Sequence, residues 1–85
     1  MSAEEVRKPL SLEGARALRL AAAITHVKLI ASADGFQIEI NGTFRVANRG
    51  GETRIFSKSD TALKWIAEIG VYRVDEVDLA HWSSS

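Results

Sequence analysis

The chain contains no cysteine. Disulfides, a thiolate nucleophile and a cysteine-held zinc are therefore excluded, and a reducing cytoplasm is the expected compartment. Histidine is nearly as scarce, with His26 and His81 the only two. A zinc site built on them would need carboxylate help, for instance from Asp78, and no ligand spacing supports one. Long hydrophobic runs are missing as well: the longest, Leu20 to Ile24, is far short of a membrane span. The start of the chain carries Glu4 and Glu5 where a signal peptide would carry a basic region and an apolar core. These absences predict a soluble protein with no membrane partner, no metal and no cofactor.

Eighty-five residues make one domain, with no room for a second core. A chain of this size buries only about 60–65 % of its unfolded surface, which sets a modest stability. The formal net charge is zero, but the charges are unevenly placed. Residues 44–64 hold Arg45, Arg49, Arg54, Lys58 and Lys64 against Glu52 and Asp60, whereas residues 65–85 hold Arg73 against Glu68, Asp75, Glu76 and Asp78. If the fold separates these segments, one surface is basic and another acidic, which suits weak nucleic-acid contact or self-association. The plainer reading is a mixed, solvated surface.

Residues 1–8 read as a flexible polar segment closed by Pro9, residues 9–82 as a single domain, and residues 83–85 as a disordered tail. Ser11 suits a helix N-cap, and Glu13 suits the positive end of the helix dipole. The alanine- and leucine-rich stretch from Ala15 to Thr25 predicts a helix. Its residues Ala17, Leu20, Ala21 and Ile24 follow the spacing of a buried stripe, to be covered by the sheet or by a partner helix. Residues 26–32 either continue that helix or form a strand; the β-branched residues and the Ala33-Asp34-Gly35 turn favour the strand. Phe36, Ile38 and Ile40 alternate with Gln37 and Glu39, a half-buried strand. Asn41-Gly42 is a strong hairpin signal, because both residues tolerate positive φ. Phe44 and Val46 begin the returning strand, Arg49-Gly50-Gly51-Glu52 makes a second turn, and Ile55-Phe56 marks a further strand.

The stretch from Thr53 to Leu79 then reads as strand, helix and strand. Ser57 and Ser59 are competent caps, with Asp60 in the first turn. Ala62, Trp65, Ile66 and Ile69 form the buried stripe, and Gly70 is the expected left-handed stop. The connection is long enough for a crossover between parallel strands. A phase change in the apolar alternation at Asp75-Glu76 marks a bulge or bend. The predicted architecture is a small α+β domain of order α-β-β-β-β-α-β, with a mainly antiparallel sheet and two helices on one face.

No stretch carries a nucleophile with its base, a phosphate loop or a cofactor fingerprint, so no catalytic residue is assigned and no small-molecule substrate is expected. The acidic group Asp75, Glu76 and Asp78 lacks the glycine and distal glutamate of a calcium loop and reads as a solvated guard on an edge strand. Arg45, Arg49 and Arg54, with Lys58, straddle the second turn and are candidate contacts for a nucleic-acid backbone or a protein partner. Trp65 belongs in the core. Trp82 either anchors the end of the domain or, with Tyr72, marks an interface.

Several blocks share a further likeness. Ala15-Arg16-Ala17-Leu18-Arg19-Leu20-Ala21-Ala22-Ala23, Ala33-Asp34-Gly35-Phe36 and Asn41-Gly42 resemble the first half of small plasmid-borne proteins, the ParC-family partition-associated proteins, which are unrelated to the topoisomerase subunit of that name. Arg49-Gly50-Gly51-Glu52, Asp60-Thr61-Ala62-Leu63-Lys64-Trp65, Ile69-Gly70-Val71 and Val77-Asp78-Leu79 extend it over roughly residues 9–82. The resemblance implies a non-enzymatic accessory protein of plasmid partition or maintenance, acting on partition proteins or DNA. It carries over no catalytic residue. The rival expectation is a nucleic-acid-binding regulator using the basic hairpin face. A homodimer is expected from the alanine-rich helix, the exposed strand edge and the small core.

Overall fold

The computed structural model describes residues 8–82, so the predicted tail and all but Lys8 of the predicted N-terminal segment lie outside the described residues. Seven elements follow in order: β1 (Lys8–Leu10), α1 (Leu12–Leu20), β2 (Val27–Ser32), β3 (Gly35–Ile40), β4 (Phe44–Val46), α2 (Ser59–Glu68) and β5 (Glu76–His81). The strands form one five-stranded sheet in the order β1-β4-β3-β2-β5. β2, β3 and β4 make an antiparallel meander, while β1 joins β4 and β5 joins β2 in parallel. The result is a small α+β domain with a mixed sheet.

Alternation decides the two faces of the sheet. In β2, Val27, Leu29 and Ala31 are buried; they pair with Ile40, Ile38 and Phe36 of β3. Leu10 and Val46, paired across β1 and β4, continue the same face. Ala62, Trp65, Ile66 and Ile69 close over it from α2, as their spacing predicts, and Ala15 closes over it from α1. α2 ends in a Schellman motif: Val71 N–H donates to Ile66 O, Gly70 N–H donates to Ala67 O, and Gly70 takes φ +90°. Its N-cap position is Lys58, which makes no side-chain capping bond, so neither Ser57 nor Ser59 fills the role expected of it.

Of residues 26–32, Val27–Ser32 form a strand and none continues the helix. α1 stops before them at Leu20, in a second Schellman arrangement with Ala23 N–H on Leu18 O and Ala22 N–H on Arg19 O. Ala22 takes the left-handed position at φ +56°. Ser11 caps the other end, its Oγ accepting from Gly14 N–H at 3.0 Å. The helix turns a different line inward from the one expected. Ala15 is buried and Leu12 and Leu18 pack on the core, whereas Ala17, Leu20 and Ala21 face solvent. Leucines at both ends of the inner line offer more apolar area than the alanine line does.

Two strands differ from expectation. Lys8–Leu10 is a strand where the sequence predicted none, held by Lys8 N–H on Thr43 O and by Ala47 N–H on Leu10 O. The segment from Thr53 to Phe56 is not a full strand. It touches the sheet through single bridges, Ala47 to Thr53 and Phe36 to Phe56. Three-residue β4 pairs only with Glu39 and Ile40 of six-residue β3, which leaves Phe36 free to bond Phe56. Gly35 makes this approach feasible: at φ +139° any Cβ would collide with Phe56 O and lie 2.9 Å from Ile55 Cγ2. The parallel partner of the last strand is therefore β2, not residues 53–56.

Candidate functional site

The charges sort onto three separate surfaces. The first is the sheet face opposite the helices. Pairing places Lys28, Ile30, Gln37, Glu39, Arg45 and Asp78 there. Arg45, a predicted backbone contact, is held in this layer: its Nη2 donates to Glu39 Oε2 at 3.2 Å and its Nη1 donates to Gln37 Oε1. Its Nε is buried without a hydrogen-bond partner. Lys28 Nζ lies 3.7 Å from both Glu76 and Asp78. The shallow cavity on this face, about 430 Å³, carries acids as well as bases and no aromatic ring. Its cations are already matched by carboxylates, so a phosphate backbone would have to displace existing pairs to bind there.

The second surface is a groove of about 600 Å³ between the start of α1 and the turn after β4. Arg49, Arg54, Asn48, Ser11, Glu13 and the nearly buried Trp65 contribute to it. The turn is closed by Asn48 N–H on Glu52 O and Gly51 N–H on Asn48 O, with Gly51 at φ +84°. Arg54 is fixed at its base by its N–H on Val46 O, and its guanidinium carbon sits 4.6 Å from the centre of the Phe56 ring. Phe56 in turn meets Trp65 edge-on at 6.5 Å. The aromatic pair orients the arginine, and burial of the rings fixes the pair. Of the predicted basic contacts, Arg49 and Arg54 come together in one groove, Arg45 lies on the other face of the sheet, and Lys58 stands exposed at the start of α2. α1's first turn, which the basic-hairpin reading did not include, borders the groove, and only the tertiary fold brings it there.

The third surface is the border formed by the end of α2, residues 70–75 and β5. Arg19 Nε donates to Gly70 O at 3.0 Å, and Tyr72 projects beside it, 84 % exposed. Asp75 is the electrostatic hinge of this border. It accepts from Val27 N–H at 2.7 Å and from Arg73 Nε at 2.9 Å. These two bonds, the backbone one first, hold its carboxyl below the usual aspartate value of 3.8. The predicted bend falls at Asp75, and a bulge occurs further along: Asp78 opposes Ile30 but His81 opposes Ser32. The Trp82 ring lies 5.8 Å from that of Phe36 at a 40° tilt and remains half exposed. His26 pairs with Glu76 at 3.1 Å, and the side chain of His81 lies outside the described residues. No cluster of three metal-ligating side chains occurs among the described residues, and no helix there is long and apolar enough to cross a membrane.

Asn41 is more than a turn residue. At φ +58° its Oδ1 accepts from Thr25 N–H, Thr25 Oγ1 and His26 N–H, and its Nδ2 donates to Ala23 O. It ties the hairpin to the connection after α1. Comparison with known protein families, with curated proteins and with solved structures returned no match.

Proposed function

We propose that this protein is a non-enzymatic accessory factor of plasmid partition or maintenance that contacts DNA through the groove holding Arg49 and Arg54. The plasmid context rests on the sequence resemblance. The DNA contact rests on one observation: two arginines converge on one groove at the start of a helix, one of them oriented by a ring. Guanidinium groups suit phosphate oxygens because their fork of donors matches two oxygens at once. The N-terminal turn of α1 adds a favourable field for an anion, partly offset by Glu13.

The test is a gel shift on short duplex DNA over a salt series. Binding through two arginines should weaken as salt rises, and Arg49→Glu with Arg54→Glu should lower the slope of log K against log salt by about 2. Absence of retardation at low salt, or equal binding by the doubly reversed variant, would overturn the DNA contact. Unchanged plasmid loss after deletion of the gene would overturn the maintenance role. A regulator acting at one operator is the second reading. It uses the same groove and would show a sequence preference that survives competition with unrelated duplex.

A further inference from the structure

A buried donor at the floor of the Arg49–Arg54 groove lacks an acceptor. Trp65 is 4 % exposed and lines this groove. Its indole N–H makes no hydrogen bond among the described residues, although a buried indole usually finds a partner. The fully sealed side-chain donor without a partner among those residues is Arg45 Nε, not Trp65 Nε1. The unpaired indole N–H therefore keeps an opening to solvent, in the groove that Trp65 lines.

The start of α1 supplies further donors. Ser11 Oγ accepts from Gly14 N–H, and Ser11 O accepts from Ala15 N–H. The N–H groups of Leu12 and Glu13, both residues of the groove wall, are left with no acceptor inside the helix. Neither Arg49 nor Arg54 enters an ion pair among the described residues, unlike Lys28, Arg45 and Arg73. The guanidinium of Arg54 lies against the Phe56 ring, which occupies a face of its fork and leaves its N–H edges available. A helix start, an indole and two arginines thus border one groove, and Glu13 is the one carboxylate on its wall.

Depth decides which anion suits these donors. A phosphodiester within a strand has a sugar on each side and cannot enter a recess end-on. A donor as sunken as the Trp65 N–H is reached only by a group that ends a chain. A phosphate monoester is such a group, with three terminal oxygens and a charge of about −1.5 to −2 at neutral pH. The groove, about 600 Å³, also has room for the sugar that carries it. We propose that the groove is a phosphate-monoester site, in which Arg49 and Arg54 hold the anion against the first turn of α1 and the Trp65 N–H donates to its innermost oxygen. The ligand is a nucleoside monophosphate unit, either free or at the phosphorylated end of a DNA strand. This rests on the DNA-contact reading of the same groove and narrows it from backbone to chain end. The arginine forks match the terminal oxygens two at a time, and Glu13 opposes the anion.

Trp82→Phe leaves Trp65 as the only tryptophan, so its emission reports on the groove. Thymidine 5′-monophosphate should change that emission saturably, and thymidine should not. A short single strand with a 5′-phosphate should bind at least about tenfold more tightly than the same strand with a 5′-hydroxyl. Competition tells the two sources apart: equal affinity marks the free nucleotide, and a tighter strand marks the chain end. Glu13→Gln should strengthen binding of the monophosphate about threefold, and Arg49→Glu with Arg54→Glu should abolish it. Trp65→Phe keeps a ring in the core and removes the N–H, so calorimetric titration should show binding about fivefold weaker with unchanged far-UV circular dichroism. Equal binding of the 5′-phosphate and 5′-hydroxyl strands overturns the proposal, whether or not Trp65→Phe folds. So does a folded Trp65→Phe protein that binds the monophosphate as tightly as wild type. A duplex gel shift that persists while calorimetry finds no monophosphate binding overturns it too, yet leaves the backbone contact standing. Loss of both overturns both readings.

Discussion

Replacing Asn41 with glycine should be among the most damaging single changes available outside the core. Glycine accepts the left-handed backbone at φ +58°, so the turn itself survives and only the side chain is lost. Four hydrogen bonds go with it, at 2.8 and 3.1 Å to Thr25, 3.1 Å to His26 and 2.8 Å to Ala23. A net value of about 0.5–1.5 kcal/mol per bond sets a ceiling of several kcal/mol. The two bonds to exposed Thr25 are readily replaced by water, whereas the part-buried His26 N–H and Ala23 O are not. The expected loss is therefore about 2–3 kcal/mol. For a domain of this size that is a large share of a total near 5–10 kcal/mol, and it should lower Tm by about 10–20 °C. Asn41→Asp separates acceptor from donor: it keeps three acceptor contacts but sets a carboxylate against Ala23 O, and should fall between glycine and wild type. Urea melts of the three proteins, compared at constant m, provide the measurement. A loss below about 0.5 kcal/mol for Asn41→Gly would show that the side chain does not tie the hairpin to the α1 connection in solution.

Two further changes probe single features. Ala22 occupies a left-handed position at φ +56°, which costs a Cβ-bearing residue about 1–2 kcal/mol, so Ala22→Gly should raise stability by about 0.5–1 kcal/mol despite the added chain entropy; a lower urea midpoint would contradict the assigned helix end. Asp75 has a folded pKa below its ordinary 3.8, so its contribution is present above that value and is lost as pH falls through the folded pKa. Asp75→Asn should therefore flatten the decline of the urea midpoint between about pH 5 and pH 2, and an equal decline in both proteins would refute the role given to the Val27 and Arg73 bonds.

What was legible in the sequence was what is local. α2 announced itself through its stripe and Gly70, and the hairpin through Asn41-Gly42, because each signal lies within a few residues of the structure it specifies. β1 was not legible: three residues containing a proline have no periodicity, and their partner is β4, more than thirty residues away. α1 was legible as a helix but not in its rotation. Periodicity shows that Ala17, Leu20 and Ala21 share a line, and equally that Leu12, Ala15 and Leu18 share another; only packing chooses between them. The basic candidates divided for a similar reason. Arg49 and Arg54 flank one turn and stay together. Arg45 lies within β4, where alternation sends its side chain to the opposite face and into the reach of Glu39 and Gln37. The anchoring by Asn41 had no sequence signal beyond its turn propensity, since its partners lie fifteen to eighteen residues earlier.

The two faces of the sheet constrain recognition differently. On the open face Arg45 and Lys28 already face Glu39, Glu76 and Asp78, so a polyanion bound there must first separate charge pairs, and it would gain no stacking surface. On the helix side lie the Arg49–Arg54 groove and, on β5, the exposed Val77 and Leu79. The groove borders the turn after β4, which β3 and β2 separate from β5 in the strand order.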